Sequence, residues 1–121
     1  AEDVLSKLPA RLARHGFADL EVIPMGLEGP ARTPPDSEIV RVVAAAAREV
    51  YGKEPVIYPM MAATGPMDVV CARFGTPAVG TGVGYPGTNV HAPNENIRIR
   101  DYLEGIKHVA LILERFGTPE G

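Results

Sequence analysis

Residues 36–58 read DSEIVRVVAAAAREVYGKEPVIY, and this stretch decides the fold class. Its apolar residues recur at intervals of three and four, so the pattern predicts an amphipathic helix that begins after an Asp-Ser cap, runs to Tyr51 and ends at Gly52. Residues 55–58 are mostly apolar and predict a short buried strand. A helix followed at once by a buried strand is typical of α/β proteins.

The same alternation continues towards the C-terminus. The pattern predicts a weak helix around Met67–Phe74 and a second buried strand over Pro77–Gly82. The final segment predicts a helix whose apolar residues share one face between positions 102 and 116. Asp101 and Glu104 have the spacing of a capping box, which places them in its first turn. We therefore expect an α/β fold.

Towards the N-terminus, the pattern predicts a helix over residues 2–15 with Gly16 as its stop. Pro9 would be tolerated in that helix only if the helix proper began near Ser6. Residues 19–25 alternate in polarity and predict a short strand. Six of the twelve residues from position 24 to position 35 are Gly or Pro, which cannot continue a helix or a strand. We therefore predict a domain boundary that separates residues 1–28 from residues 29–121.

Composition excludes several classes of protein. The 121 residues carry a formal net charge of −3 and are 45% apolar, which predicts a soluble globular chain without a nucleic-acid or membrane partner. The single cysteine, Cys71, cannot form an intrachain disulfide or a thiolate zinc site, so we expect an intracellular protein. The chain opens without Met on what reads as helical sequence, which suggests a piece of a longer polypeptide.

The long loop from Gly82 to Asn96 is the most informative stretch, because loops of this length in a compact domain are usually functional or disordered. It contains the pattern Gly-x-Gly-x-x-Gly. That pattern binds dinucleotides only where its last glycine opens a helix, and the prolines and asparagines here prevent a helix until about residue 100. A nucleotide or phosphate site in this loop is therefore the least favoured hypothesis.

His91 is the residue of this loop with the most chemical potential. An imidazole in a glycine-rich loop after a strand of an α/β sheet is a candidate metal ligand, although a histidine that bonds only within its loop is the plainer alternative. Asn94 and Glu95 lie close enough in sequence to supply hydrogen bonds that orient it. His108, four residues after Glu104, is predicted to lie on the polar face of the last helix and to pair with that carboxylate. One histidine cannot hold a catalytic zinc alone, since such sites need three or four ligands.

Residues 80–109, GTGVGYPGTNVHAPNENIRIRDYLEGIKHV, resemble the C-terminal signature of a family of dinuclear zinc exopeptidases and deacylases. The family includes aminoacylase, carnosinase-type dipeptidases, glutamate carboxypeptidase, acetylornithine deacetylase and succinyl-diaminopimelate desuccinylase. The residues that carry the resemblance are His91, Asn94, Glu95, Tyr102 and Gly105.

The resemblance implies a three-layer α/β/α catalytic domain, interrupted by a smaller α+β lid through which two subunits dimerise. Residues 1–28 would then be the last helix and strand of the lid, and residues 29–121 the C-terminal part of the catalytic domain. It further implies two zinc ions, of which this chain would ligate at most one, through His91, and no catalytic residue from this chain. Residues 62–66, which include Thr64 and Gly65, resemble the loop with which this family holds a substrate carboxylate. The alternative for Thr64 is a turn residue that bonds within its own loop.

Two hypotheses of different class follow. In the first, the chain is part of a cytoplasmic metallopeptidase or amidohydrolase that cleaves a dipeptide or an N-acyl amino acid, and it is inactive without the missing N-terminal part of the polypeptide. In the second, it is a stand-alone, non-catalytic binding or dimerisation module.

Overall fold

The computed structural model describes residues 1–61, 63 and 65–117. The described part contains four helices: α1 (Glu2–Arg14), α2 (Glu38–Tyr51), α3 (Met67–Phe74) and α4 (Ile99–Gly117). The chain divides into two compact units, which are described separately. The first comprises residues 1–32 and 61–76, and the second comprises residues 33–60 and 77–121.

Helix α1, in the first unit, runs without interruption through Pro9. The expectation that a helix containing this proline would begin near Ser6 is therefore wrong. Proline removes one backbone hydrogen bond from the helix, the one to the carbonyl four residues earlier. No residue of α1 is buried, so water can solvate that carbonyl. Gly16, at φ 85°, follows the helix as predicted.

Helix α3, also in the first unit, has the predicted bounds and ends at Gly75, whose backbone is left-handed. Its first turn is tied to the connector near residue 28 by a backbone-to-carboxylate hydrogen bond. The Gly29 amide donates to Asp68 Oδ2 at 2.5 Å. A Cβ at position 29 would lie 2.9 Å from that oxygen, so a side chain there would displace the Asp68 carboxylate.

Helices α2 and α4 pack against each other in the second unit. The bounds predicted for α2 are confirmed, and Gly52 ends it at φ 64°. Ser37 occupies the N-cap position, but its hydroxyl donates to the Pro34 carbonyl at 2.7 Å instead of capping the helix. The buried residues of α2 are small or β-branched, which allows α4 to approach closely; they are Val40, Ala46 and Ala47.

Helix α4 begins at Ile99, so Asp101 lies inside its first turn. The predicted capping box does not form, because arginines take both carboxylates: Arg98 bonds Asp101 at 2.5 Å and Arg100 bonds Glu104 at 2.9 Å. Two residues of α4 are buried: His108, whose ring contacts the Val43 carbonyl of α2, and Gly105, which faces Val83. The apolar face predicted from the sequence is instead exposed by about half; it comprises Tyr102, Ile106, Val109, Leu113 and Phe116.

The three predicted strands are absent from the part of the chain that the structure describes, where all regular secondary structure is helical. The strand component of the expected α/β fold, over residues 19–25, 55–58 and 77–82, is therefore not formed. A strand requires hydrogen bonds from a neighbouring strand. Val56 and Tyr58 are 75% and 78% exposed, so the second of these segments lies in solvent rather than inside a sheet.

The described fold leaves most of its large apolar side chains in contact with water. Ile23, Met25 and Met60, for example, are 70%, 98% and 82% exposed. Within the described residues, no helix is both long enough and apolar enough to cross a membrane.

Candidate metal-ligand loop

The first residues of the loop that carries His91 pack against helix α4. Val83 approaches the helix so closely that a Cβ on Gly105 would lie 2.2 Å from Val83 Cγ1. The residue before the loop also contacts α4, because the Thr81 hydroxyl lies 3.5 Å from His108 Nδ1. Gly105 is therefore the residue that admits the first part of the loop against α4.

Thr88 organises the middle of the loop. Among the described residues, it is one of two buried polar side chains, with His108. Its Oγ1 accepts a hydrogen bond from the Tyr85 amide at 2.7 Å and donates to the Tyr85 carbonyl at 2.7 Å. The Thr88 amide also donates to that carbonyl, at 2.9 Å. These bonds form a turn over residues 85–88.

Asn96 closes the loop at its other end. Its Nδ2 donates to the Gly87 carbonyl at 3.1 Å and to the Asn94 carbonyl at 2.9 Å. Its Oδ1 accepts from the Tyr85 hydroxyl at 2.5 Å, and its backbone amide donates to the Thr88 carbonyl at 3.0 Å. One side chain thus joins residues on both sides of His91.

His91 lies at the tip of this closed loop, in a β-turn. The Ala92 amide donates to the Asn89 carbonyl at 3.0 Å, and His91 occupies the third position of the turn at φ 59°. That position favours glycine when φ is positive, although histidine and asparagine tolerate it better than other residues do. The His91 side chain is exposed, so the loop presents an imidazole to the outside of the unit.

The described residues fit one position of a metal site and not a whole site. An exposed neutral imidazole is a common zinc ligand. However, the described part of the chain contains no group of three or more His, Cys, Asp or Glu side chains that could hold a metal ion together. Three or four protein ligands are needed for zinc, so the remaining ligands would have to come from other residues.

The other residues predicted for the site lie in different places. Asn94 has a left-handed backbone, at φ 62°, and its carbonyl accepts from Asn96, while Glu95 is exposed. The orienting role predicted for their side chains stays a prediction. Gly65 belongs to the first unit, and its carbonyl accepts from the Met67 amide at 2.7 Å. Thr64 lies outside the described residues.

His108 differs most from its predicted placement. It is 2% exposed, its Nε2 lies 3.1 Å from the Val43 carbonyl, and its ring meets Tyr51 edge-on with centroids 5.4 Å apart. A carbonyl can only accept, so this contact places the proton on Nε2. The prediction of a solvated pair with Glu104 is wrong. The alanine-rich α2, which leaves room for an imidazole, is the sequence signal that could have indicated this packing.

Charged groups cluster where the ends of α2 and α4 meet. Partial burial raises the pKa of the Tyr51 phenol, and the carboxylates of Glu104 and Asp101 add to that effect. At the exposed surface, a two-pronged hydrogen bond from Arg48 lowers the pKa of Glu54. None of these groups forms a hydrogen bond or ion pair with His91 in the described structure.

Comparison with known proteins adds a family to this geometry. Residues 12–115 match the model of peptidase family M20/M25/M40. The chain belongs to this family. No curated protein matched it.

A solved structure extends the match. This chain resembles a metallo-carboxypeptidase of the M20 family, Sso-CP2 from Sulfolobus solfataricus, with a TM-score of 0.80 and 36% sequence identity. The similarity covers 93% of this chain but only 26% of the carboxypeptidase chain. This chain therefore spans about a quarter of the length of that carboxypeptidase.

Proposed function

We propose that this chain supplies His91 as one metal ligand of a zinc-dependent hydrolase that cleaves the amide bond of a dipeptide or an N-acyl amino acid. Membership of peptidase family M20/M25/M40 and similarity to a metallo-carboxypeptidase support a metal-dependent hydrolase. The observation that carries the proposal is the presentation of an exposed imidazole at the tip of a loop that is braced on both sides.

The backbone of His91 supports this role. A residue with a side chain held at positive φ costs about 1–3 kcal/mol, and such residues cluster at functional sites. Glycine would relieve the strain in the turn that ends at Ala92. The sequence nevertheless has histidine at φ 59°, which is expected where the imidazole itself is needed.

The remaining ligands of the metal would have to come from residues beyond these 121, because the described residues gather no group of three ligands. We propose a dinuclear zinc centre in the whole enzyme, with at most one ligand from this chain. When bound, zinc polarises the scissile carbonyl and lowers the pKa of a water molecule. The role of this chain is to fix the direction and the distance at which one neutral imidazole approaches the metal centre.

The substrate and the assembly belong to the same proposal. A substrate of carboxypeptidase type carries a free carboxylate, and the backbone amides near Thr64 and Gly65 are candidates to bind it. We further propose a cytoplasmic homodimer that forms through the lid of residues 1–28, without nucleic-acid or membrane partners, in keeping with the net charge of −3.

The test uses replacements that suit the backbone of the turn. In the complete polypeptide that carries this chain, His91→Asn and His91→Gly both allow positive φ and remove the imidazole. We expect both variants to lose about one equivalent of zinc per chain and to lose turnover, while the folding of the loop persists. Asn89→Gly is the matched control, because it keeps a left-handed backbone in the same turn. Unchanged zinc content and turnover in both His91 variants would refute the proposal.

One observation favours the second candidate, a non-catalytic binding or dimerisation module. The apolar face of α4 from Tyr102 to Phe116 is about half exposed, and exposed apolar surface of this extent marks interaction sites. Under this alternative, the 121-residue chain alone would unfold cooperatively and would form a defined dimer in analytical ultracentrifugation. Under the hydrolase proposal, the isolated chain would show neither property.

A further inference from the structure

We propose that Asn96 is a positioning residue for His91, because its carboxamide closes the loop that holds the imidazole. This inference rests on the proposed function of His91 as a metal ligand. It assigns a role to a side chain that lies five residues after the histidine and forms no hydrogen bond with its ring.

The carboxamide of Asn96 uses both of its ends. Nδ2 donates to the carbonyls of Gly87 and Asn94, which lie four residues before and three residues after His91. Oδ1 accepts from the Tyr85 hydroxyl. Gly87 and Asn94 are therefore held at a fixed separation, and the turn that carries His91 spans the chain between them.

The chemistry of this contact is specific for an amide. Two carbonyl oxygens and one hydroxyl require two N–H donors and one acceptor at a single position, and asparagine provides them within a short side chain. A carboxylate would keep the acceptor for Tyr85 but would place oxygen against the carbonyls of Gly87 and Asn94. Asn96→Asp therefore removes the closure while it preserves size and shape.

The closure matters because the turn is strained. The loop that Asn96 closes contains three nonglycine residues with positive φ, Asn89, His91 and Asn94. Residues in such conformations persist only where the surrounding structure holds them. Without the Asn96 bonds, His91 is free to return to negative φ, which turns its side chain away from the direction in which the loop presents it.

A second contact strengthens the same closure. The Arg98 guanidinium lies 4.4 Å from the centroid of the Tyr85 ring. Stacking of the guanidinium over the face of the ring restricts the orientation of Tyr85, so that its hydroxyl stays directed at Asn96. The contact also connects the closure to the start of α4.

The experiment measures zinc affinity and loop opening in the complete polypeptide. For Asn96→Asp we expect the zinc dissociation constant of the His91-dependent site, determined by chelator competition, to rise about tenfold. The visible spectrum of the cobalt-substituted protein should change, because the imidazole enters at an altered angle. Hydrogen exchange should become faster in residues 85–96 and stay unchanged in α2. Asn89→Gly, whose side chain forms no hydrogen bond in the described structure, should keep the wild-type affinity and spectrum.

Tyr85→Phe is the second variant, and it decides the question if Asn96→Asp fails to fold. It removes the hydroxyl and keeps the ring beneath Arg98, so we expect about a threefold rise of the dissociation constant. Faster exchange of the loop with unchanged zinc affinity and cobalt spectrum would overturn the inference, since Asn96 would then be merely structural. His91→Asn separates the two proposals. If His91→Asn loses zinc while both brace variants bind it normally, only the role of Asn96 fails; if His91→Asn retains zinc, the proposed function itself fails.

Discussion

Replacing Gly105 by alanine tests how the loop is seated on α4, because two opposite effects compete there. In the interior of a helix, alanine is more stable than glycine by about 1 kcal/mol. The new Cβ, however, would lie 2.2 Å from Val83 Cγ1. Ordinary contact needs about 3.4 Å or more, so one of the two groups must move by roughly 1.2 Å, and overpacking of this kind costs about 1–3 kcal/mol. The difference is a net loss of about 0–2 kcal/mol.

The measurement is the free energy of local opening, obtained by hydrogen exchange of the α4 amides in the complete polypeptide. Gly117→Ala, in the same helix but with open space around its Cβ, should be neutral or slightly stabilising. Val83→Ala removes the opposing methyl group, so in that background Gly105→Ala should become neutral or stabilising. The coupling energy of this double-mutant cycle should be about 1–3 kcal/mol. A stabilising Gly105→Ala in the otherwise native protein would refute the close approach of Val83.

Three further predictions concern the second unit. His108→Ala should lower the free energy of unfolding by about 2–3 kcal/mol through loss of packing and of a buried hydrogen bond, with His108→Gln intermediate, as measured by urea denaturation. Glu54 has a lowered pKa in the folded chain because its carboxylate accepts hydrogen bonds from Arg48. Its stabilising contribution is therefore present above pH 4.5, and it is lost as the pH falls through the lower pKa of the folded chain. Glu54→Gln should abolish this pH dependence of the melting temperature. Thr33 exchanges two hydrogen bonds with Ala78, at 2.6 and 2.9 Å, so Thr33→Val should cost about 1–2 kcal/mol while Thr33→Ser should cost less than half of that; an equal loss in both would contradict the exchange.

The helices could be predicted from the sequence because their signals are local. Apolar periodicity and a glycine stop predicted the C-terminal end of α2 to the residue, and the pattern predicted a weak helix around Met67–Phe74, where α3 lies. Helix hydrogen bonds join residues four apart, so the segment itself contains most of what decides the structure. The errors at helix starts have the same origin, because single side chains such as Pro9 or Asp101 have several allowed positions near a helix terminus.

Strands could not be established in this way. The segment Pro55–Tyr58 has the composition of a buried strand, but a strand forms only when another strand supplies its hydrogen bonds. The described residues provide no such neighbour. Composition predicts where a strand would be suited, and partners elsewhere in the structure decide whether it forms.

The two histidines show the same division between local and long-range information. The surroundings of His91 in sequence, glycines, prolines and asparagines, indicate an irregular loop, and the structure places it in one. For His108 the nearest sequence neighbour, Glu104, suggested a surface pair. Two of its contacts, Val43 and Tyr51, lie more than fifty residues away in sequence, and no spacing rule within α4 contains them.

Burial and backbone conformation distinguish His108, which has a structural role, from His91, for which we propose a functional one. His108 is held by contacts that use its whole ring, so its burial explains its presence. His91 has an exposed side chain and a backbone that glycine would adopt at lower cost, so packing does not explain it. A side chain that gains nothing from the fold and costs about 1 kcal/mol or more in backbone strain is expected where its chemistry is used, and metal ligation is the chemistry that we propose for His91.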